Sequence, residues 1–367
     1  MIIEVKRAVG VDLHTNKFTV YYLEDEKGCM KGYSIAEMDE FMKELRKDDV
    51  LAVEASTNTF EFVRKIRNVV KEVYVVNPIK FGVIHKTNKK TDKIDAKKLA
   101  YGANYHAATG GHHLPLVYVP EKQISELRSL FTTYDQIKKK ITMTMNRIHS
   151  ILKANLFPYN GININDEEHR KEILGLELPG NEKFQIELLY KDLDMQLEHK
   201  GKLEERIERF AVPYKEEVKI MISTTGISIL CALAVKSDYA EIGRFPNEKG
   251  FTSYLRTAPK IDSSNNQIHI GAVNKQSRKL ALSMLIQGLP HYWGSNERIK
   301  NFRETKIKGK SKGKVRIAIA RKLLVCLYFM LKRKELYRYK NQFLYDTKLK
   351  KLDDIINRYN KGEIQTK

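Results

Sequence analysis

The first eighty residues carry an order of secondary-structure elements that few folds accommodate. Residues 7–24 predict two strands around a polar turn at residues 14–16, and a third short strand follows at residues 30–35. Helix and strand patterns then alternate over residues 38–45, 50–54, 60–69 and 73–76, and the next helix begins near Thr91. Antiparallel strands that lead into βα units predict an α/β domain over residues 1–120, with a mixed sheet and helices on its faces.

Two long amphipathic helices are predicted in the middle of the chain. Apolar residues recur at steps of three and four over residues 124–152 and again over residues 186–210. Segments rich in glycine, proline and asparagine separate the two patterns. The pair predicts a coiled-coil stalk over residues 121–212. An ordinary helical hairpin within one monomer is the alternative.

The remainder of the chain predicts a mainly helical domain over residues 213–345 and a basic helical tail over residues 346–367. Helices are expected at residues 214–222, 227–235, 276–287 and 313–337, with a loop-rich stretch at residues 243–271. Between residues 298 and 340 there are 16 lysines and arginines but only two acidic residues, Glu304 and Glu335.

The charge balance indicates a polyanionic partner. The chain has 66 lysines and arginines against 45 acidic residues, which gives a net charge of +21. Lysine and arginine contacts to phosphate supply affinity that is independent of nucleic-acid sequence. A solubilising basic surface is the alternative. The residues that we expect to contact nucleic acid are Lys90, Lys93, Lys275, Arg278, Lys308, Lys310, Lys312, Lys314 and Arg321.

Other protein classes are disfavoured. The three cysteines, Cys29, Cys231 and Cys326, are far apart, so neither a disulfide framework nor a cysteine-rich zinc module is expected. The longest apolar stretch, residues 323–331, is too short to cross a bilayer, and charges interrupt the N-terminal residues. We therefore expect a cytoplasmic protein with no membrane partner.

Four carboxylates are placed so that they could form one metal site. Asp12 lies in the first strand, Glu54 ends the fourth strand, and Asp92 and Asp95 share one face of the following helix. The first and fourth strands are neighbours in a ribonuclease-H-like arrangement, which would bring the four groups together. Clustered carboxylates repel one another unless cations lie between them, and Mg²⁺ or Mn²⁺ are the natural choice.

Such ions imply phosphodiester chemistry. Two divalent ions can stabilise both the attacking and the leaving oxygen of a displacement at phosphorus. The alternative is that each acid is a solvated surface charge. In that case Asp92 and Asp95 would simply pair with the lysines around them.

Three segments of the N-terminal part resemble the DEDD motif of the insertion-sequence IS110 family of transposases. They are Val11-Asp12-Leu13-His14, Val53-Glu54-Ala55-Ser56 and the stretch from Lys90 to Ala100 that contains Asp92 and Asp95. The resemblance continues through Thr225-Gly226-Ile227, residues 242–246, Tyr254, Ala258-Pro259, Ser264, Gly271 and Lys275.

The resemblance implies an RNase H-like (RuvC-like) N-terminal domain whose acidic tetrad holds Mg²⁺. It also implies a serine nucleophile five residues after the proline and seven before the glycine, which selects Ser264 and leaves Ser263 as the neighbouring alternative. Asn265 stands where the family usually has glycine. The implied reaction cuts and rejoins DNA through a covalent phosphoserine intermediate.

The implied partners are DNA, a structured noncoding guide RNA and further copies of the chain, as a dimer or tetramer. Two other functions stay open at this point. One is a metal-dependent nuclease similar to junction resolvases, which uses the four acids without the serine. The other is a nucleic-acid architectural protein that has no catalytic activity.

Overall fold

The computed structural model describes residues 5–84, 92–111, 113–157, 162–264, 267–273 and 278–360. The chain divides into two compact units, Met1–Glu121 and Lys122–Lys367. We call them the first and the second unit.

The first unit is built on a mixed five-stranded sheet. Its strands are β1 (Arg7–Leu13), β2 (Lys17–Glu24), β3 (Lys27–Ser34), β4 (Val50–Glu54) and β5 (Glu72–Val76), in the order β3-β2-β1-β4-β5. β1 pairs antiparallel with β2 and parallel with β4, so the predicted neighbourhood of the first and fourth strands is confirmed.

Four helices accompany the sheet: α1 (Met38–Glu44), α2 (Thr59–Ile66), α3 (Pro78–Ile84) and α4 (Asp92–Ala108). On one face, Val9 and Val11 of β1 pack in a core with Phe41 of α1 and Phe62 of α2. On the other face, Ala8 packs in a second core with alanines and Leu99 of α4. The alternation of β1 side chains therefore supplies both cores, as expected for a central strand. The short helix α3 was not predicted.

The second unit begins with the helices α5 (Lys122–Ala154), α6 (Glu167–Leu174) and α7 (Gly180–Glu208). α5 and α7 pack against each other through residues such as Ile148 and Leu193. At its other end, α5 places Leu127 and Phe131 in the core of the following helical bundle. The two long helices are confirmed, whereas a coiled coil stays a prediction.

The rest of the second unit is mainly helical, as predicted. Its elements are α8 (Lys215–Ile222), α9 (Ile229–Tyr239), α10 (Glu248–Tyr254), β6 (Pro259–Ser264), β7 (Gln267–Val273), α11 (Leu280–Gly294), α12 (Glu297–Ile307), α13 (Lys312–Arg333) and α14 (Gln342–Asn360). None of the helices in the described part of the chain combines the length and apolarity that a bilayer crossing needs.

Three details of this region differ from the sequence-based expectation. The stretch expected to be rich in loops contains α10 and a two-stranded hairpin, β6–β7. α12 was not predicted, because only three of its eleven residues, Ile299, Phe302 and Ile307, are apolar, and they form a weak pattern that is only partly buried. α13 ends at Arg333 rather than near residue 337, because Lys334 adopts a left-handed conformation with φ of 56°.

Candidate active site

The sheet brings Asp12 and Glu54 to the same edge. β1 and β4 are parallel, and the last register pair between them is Val11 with Val53. Asp12 and Glu54 are the next residues of the two strands. Because strand side chains alternate between faces, both acids lie on the face opposite Val11 and Val53, which is the face that α4 covers.

Gly10 allows α4 to lie close to β1. A Cβ atom at Gly10 would collide with the backbone oxygen of Ala96 and the backbone nitrogen of Ala100. The absence of a side chain lets the helix backbone rest directly on the strand. The first turn of α4, which carries Asp92 and Asp95, therefore reaches the end of β1.

Asp12, Asp92 and His14 converge on one point. The His14 Nε2 atom lies 3.3 Å from Asp12 Oδ2 and 3.4 Å from Asp92 Oδ2. One ligand atom from each of the three residues lies within 4.8 Å of the others. Lys17 Nζ is 3.5 Å from Asp92 Oδ2. We call Asp12, His14 and Asp92 the acidic cluster.

Residues that follow β4 hold the turn that carries His14. Asn58 Nδ2 donates a hydrogen bond to the His14 carbonyl oxygen at 3.0 Å, and Thr59 Oγ1 donates to the Glu54 carbonyl oxygen at 2.7 Å. Sequence reasoning did not assign His14 to the site. The position of His14 two residues after Asp12 was the only sequence feature that could have indicated this role. Its approach to Asp92 depends on the conformation of the turn after β1, which the sequence does not reveal.

Electrostatics distinguish the two aspartates of the cluster. Burial raises the pKa of Asp12, and the charges of Asp92 and Asp95 raise it further, while His14 opposes them. Partial desolvation also raises the pKa of Asp92, but His14 and Lys17 outweigh it, so that this pKa lies below its ordinary value. The folded protein therefore holds negative charges close together at the cost of mutual repulsion.

The donor set fits a hard divalent cation. Carboxylate oxygens are the ligands that Mg²⁺ takes, and an added imidazole also suits Mn²⁺. Asp95 lies close enough to affect the pKa of Asp12, and Lys98 Nζ is 3.7 Å from its carboxylate. The structure thus brings two of the four predicted acids, Asp12 and Asp92, together, with Asp95 within electrostatic reach and Glu54 at the adjoining strand end.

Ser264 lies in the second unit as the last residue of β6, where it pairs with Gln267 of β7. The chain is anchored on both sides of this hairpin. Before it, Thr257 Oγ1 donates a buried hydrogen bond to the Thr252 carbonyl oxygen at 2.8 Å. After it, Arg278 donates to Asp238 Oδ1 at 3.1 Å and to the Arg128 carbonyl oxygen at 2.9 Å.

The other residues predicted to contact nucleic acid fall into three groups. Lys90 and Lys275 lie outside the described residues, as does Asn265. Arg278 makes the contacts within the chain given above. The remaining six are exposed, on α4, on α13 or between α12 and α13: Lys93, Lys308, Lys310, Lys312, Lys314 and Arg321.

Comparison with known families agrees with this geometry. A mixed sheet with an acidic cluster at the end of its central strand fits an RNase H-like domain, and residues 9–158 match the family model of the IS110-type DEDD transposase domain. Residues 218–302 match the model of the transposase IS116/IS110/IS902 family. The chain belongs to the IS110 family of transposases. No curated protein matches the chain.

The family assignment confirms the resemblance and the enzyme class. The first match contains Asp12, Glu54, Asp92 and Asp95, and the second contains Ser264. The protein is therefore a transposase that acts on DNA, and a DEDD-type domain indicates the use of a divalent metal ion.

Proposed function

We propose that this protein cuts and rejoins DNA strands through a covalent phosphoserine intermediate, with Mg²⁺ or Mn²⁺ held by Asp12, Glu54, Asp92 and Asp95. The observation that carries the proposal is the convergence of Asp12 and Asp92 at the end of the central strand. Burial and repulsion from Asp92 and Asp95 raise the pKa of Asp12. A bound cation would offset this repulsion and favour the ionised carboxylate.

The bound ion would stabilise the negative charge that builds up on the phosphate during displacement. The Ser264 hydroxyl attacks phosphorus, a phosphorus–Oγ bond forms, and the bond from phosphorus to a sugar oxygen breaks. The serine proton ends, overall, on the departing sugar hydroxyl. A hydroxyl of another DNA strand then displaces the serine, so rejoining needs no ATP because the phosphodiester bond energy is conserved.

The basic surface supports binding of nucleic acid by the second unit. The net charge of +21 and the exposed lysines between α12 and α13 favour phosphate contacts. We further propose that a noncoding RNA from the same element selects the DNA targets, on the basis of the family resemblance. On the same basis, we propose that the protein works in the prokaryotic cytosol.

Self-association is the last part of the proposal. α7 exposes Phe184, Leu188 and Met195, which lie on one helical face because they are separated by four and seven residues. A second copy that covers this face would bury apolar surface. A dimer or tetramer would also hold two DNA ends at once, which recombination requires.

Trapping of the covalent adduct tests the serine chemistry. A labelled DNA fragment from the boundary of the element is incubated with protein, Mg²⁺ and RNA transcribed from the flanking noncoding stretch. We expect a protein–DNA adduct on a denaturing gel with the wild type and with Ser263→Ala. We expect none with Ser264→Ala, because the nucleophile is removed.

Two outcomes would favour the alternatives. Cleavage by Ser264→Ala without any adduct would show that the acids act alone, as in a metal-dependent nuclease. If Asp12→Asn changed neither Mn²⁺ affinity nor strand cleavage, the acids would be surface charges and the protein an architectural one.

A further inference from the structure

A cleft lies beside the base of the β6–β7 hairpin, in the second unit. It has a volume of about 1020 Å³ and lies between the hairpin, α11, α12 and the start of α13. Val273, Ile286 and Phe302 contribute apolar lining. We call it the hairpin cleft.

The hairpin cleft combines an apolar lining with a cationic one. Among the described residues that line it, four are cationic and none is acidic: Lys306, Lys310, Lys314 and Arg316. The Phe302 ring also has Lys322 Nζ at 4.6 Å and Lys306 Nζ at 5.9 Å from its centroid. The aromatic ring and the cations therefore occupy the same small region of surface.

This combination matches the chemistry of an unpaired nucleotide. An apolar, aromatic surface accepts the face of a base, while lysine and arginine accept the phosphate. Within a duplex the base faces are stacked and cannot reach an apolar lining. Paired DNA would therefore use only the cations and would leave the apolar lining uncovered.

The backbone of the cleft supports close approach of a strand. Gly309 lines it, and a Cβ atom built there would meet no heavy atom within 4 Å. α13 begins three residues after Gly309, at Lys312, so its first amide groups add positive potential on this side.

We propose that the hairpin cleft binds an unpaired nucleotide of the DNA strand that the enzyme recombines. The proposal rests on the proposed function of Ser264. β6 leads from Pro259, which lines the cleft, to Ser264 in five residue steps, and at about 3.3 Å per residue this is roughly 17 Å. A stacked strand with a rise of about 3.4 Å covers that distance in about five nucleotides.

This continuity favours DNA over RNA as the occupant. One hairpin carries both the cleft wall and the serine that we propose to attack DNA. A base held in the cleft would fix the register of the strand relative to Ser264. The cleft would thereby help to determine which phosphodiester is attacked.

The test uses the full-length chain and single-stranded DNA that contains the fluorescent base 2-aminopurine. Binding is followed by anisotropy and by the change in 2-aminopurine emission. We expect Phe302→Leu to weaken binding of single strands about tenfold and to abolish the emission change, because stacking is lost. Duplex binding should not change. Phe329→Leu is the matched control, since Phe329 is an exposed aromatic residue on α13 that does not line the cleft.

Charge variants keep the test independent of any effect of Phe302→Leu on folding. Lys310 and Lys314 are exposed, so their replacement by glutamine should leave the melting temperature unchanged. If both contact phosphate, the double variant lowers the salt dependence of single-strand binding by a slope of about 1.4. Lys350→Gln, an exposed lysine on α14, should have no such effect.

Three results would overturn the proposal. Phe302→Leu and the double lysine variant could both bind single strands as the wild type does. Binding that depends on Phe302 but strongly prefers RNA would assign the cleft to RNA. Equal losses for duplex and single strands would show only general phosphate contact.

If these results occur while Ser264 still forms the adduct, the cleft proposal fails alone. If the wild type forms no adduct but the cleft binds as expected, only the proposed chemistry fails.

Discussion

The two groups of predicted catalytic residues are supported in very different ways. In the first unit, Asp12 is the last residue but one of a central strand that is packed on both faces, and Asp92 opens a helix that rests on that strand. In the second unit, Ser264 lies at the end of a two-stranded hairpin. Two strands alone are only marginally stable in water, so this hairpin depends on its anchors at Thr257 and Arg278.

The difference would suit the two chemical tasks that we propose for these residues. Acids that share a metal ion must be held together against their repulsion, which requires a rigid surrounding. A nucleophile that attacks one strand and is later displaced by another benefits from an element that can move. Segments that move in function are drawn from the less stable parts of a structure.

The largest expected effect comes from Gly10→Ala. The new Cβ atom would collide with the backbone of α4, which no side-chain rotation can relieve. We expect the free energy of unfolding of the first unit to fall by about 3 kcal/mol. Mn²⁺ binding should fall as well, because α4 carries Asp92. Calorimetric unfolding and a Mn²⁺ titration of the full chain measure the two effects.

Gly32→Ala is the matched control on β3. A Cβ atom at Gly32 meets no heavy atom within 4 Å, so we expect a small stabilisation, about 0.5 kcal/mol. Equal effects of the two substitutions would refute the view that the contact at Gly10 positions the acids.

Asp238→Asn tests the anchor after the hairpin. Asp238 is buried, and burial raises its pKa to about 6, although Arg278 and Arg128 act in the opposite direction. Because this value exceeds the ordinary 3.8, the folded state favours the protonated form, and stability falls as the pH rises through 6. We expect the wild type to lose about 1.4 kcal/mol between pH 5 and 7.5 through this group.

The same contribution should be absent from Asp238→Asn, so the difference between the two stability curves isolates it. Amide hydrogen exchange in β6 and β7 adds a second measurement. We expect faster exchange in the variant at pH 7.5, since the ion pair with Arg278 is lost. Parallel stability curves together with unchanged exchange would contradict the proposed role of this anchor.

The order of helices and strands in the first unit could be predicted from the sequence because each sequence pattern depends on residues close together in the chain. The mostly apolar sequence of β1 and the spacing of Asp92 and Asp95 each depend on a few neighbouring residues. The long pattern over residues 124–152 likewise predicted α5 to within two residues at each end. His14 was missed because its place in the acidic cluster requires a turn to fold back toward another element.

The β6–β7 hairpin, by contrast, could not be predicted from local sequence signals. β6 has the sequence Pro-Lys-Ile-Asp-Ser-Ser, which has little intrinsic preference for a strand. Its pairing depends on β7, which contains more β-branched residues. Sequence reasoning therefore expected a loop where the structure has two strands, and it selected Ser264 only through the family resemblance.

The smallest change in stability that we expect is that of Asp12→Asn without a cation, and it tests whether the acids of the first unit repel one another. Since burial and neighbouring charges raise the pKa of Asp12, its carboxylate destabilises the folded first unit at neutral pH when no cation is bound. We expect Asp12→Asn to raise the melting temperature by about 2 °C in the presence of a chelator. With Mn²⁺ at about 100 times its dissociation constant, the wild type should gain about 2.7 kcal/mol, and the order of the two proteins should reverse. Asp39→Asn, at an exposed position in the first turn of α1, should show neither effect. A lower melting temperature of Asp12→Asn in chelator would mean that Asp12 stabilises the fold. That result would contradict the inference that the fold holds these carboxylates together despite their mutual repulsion.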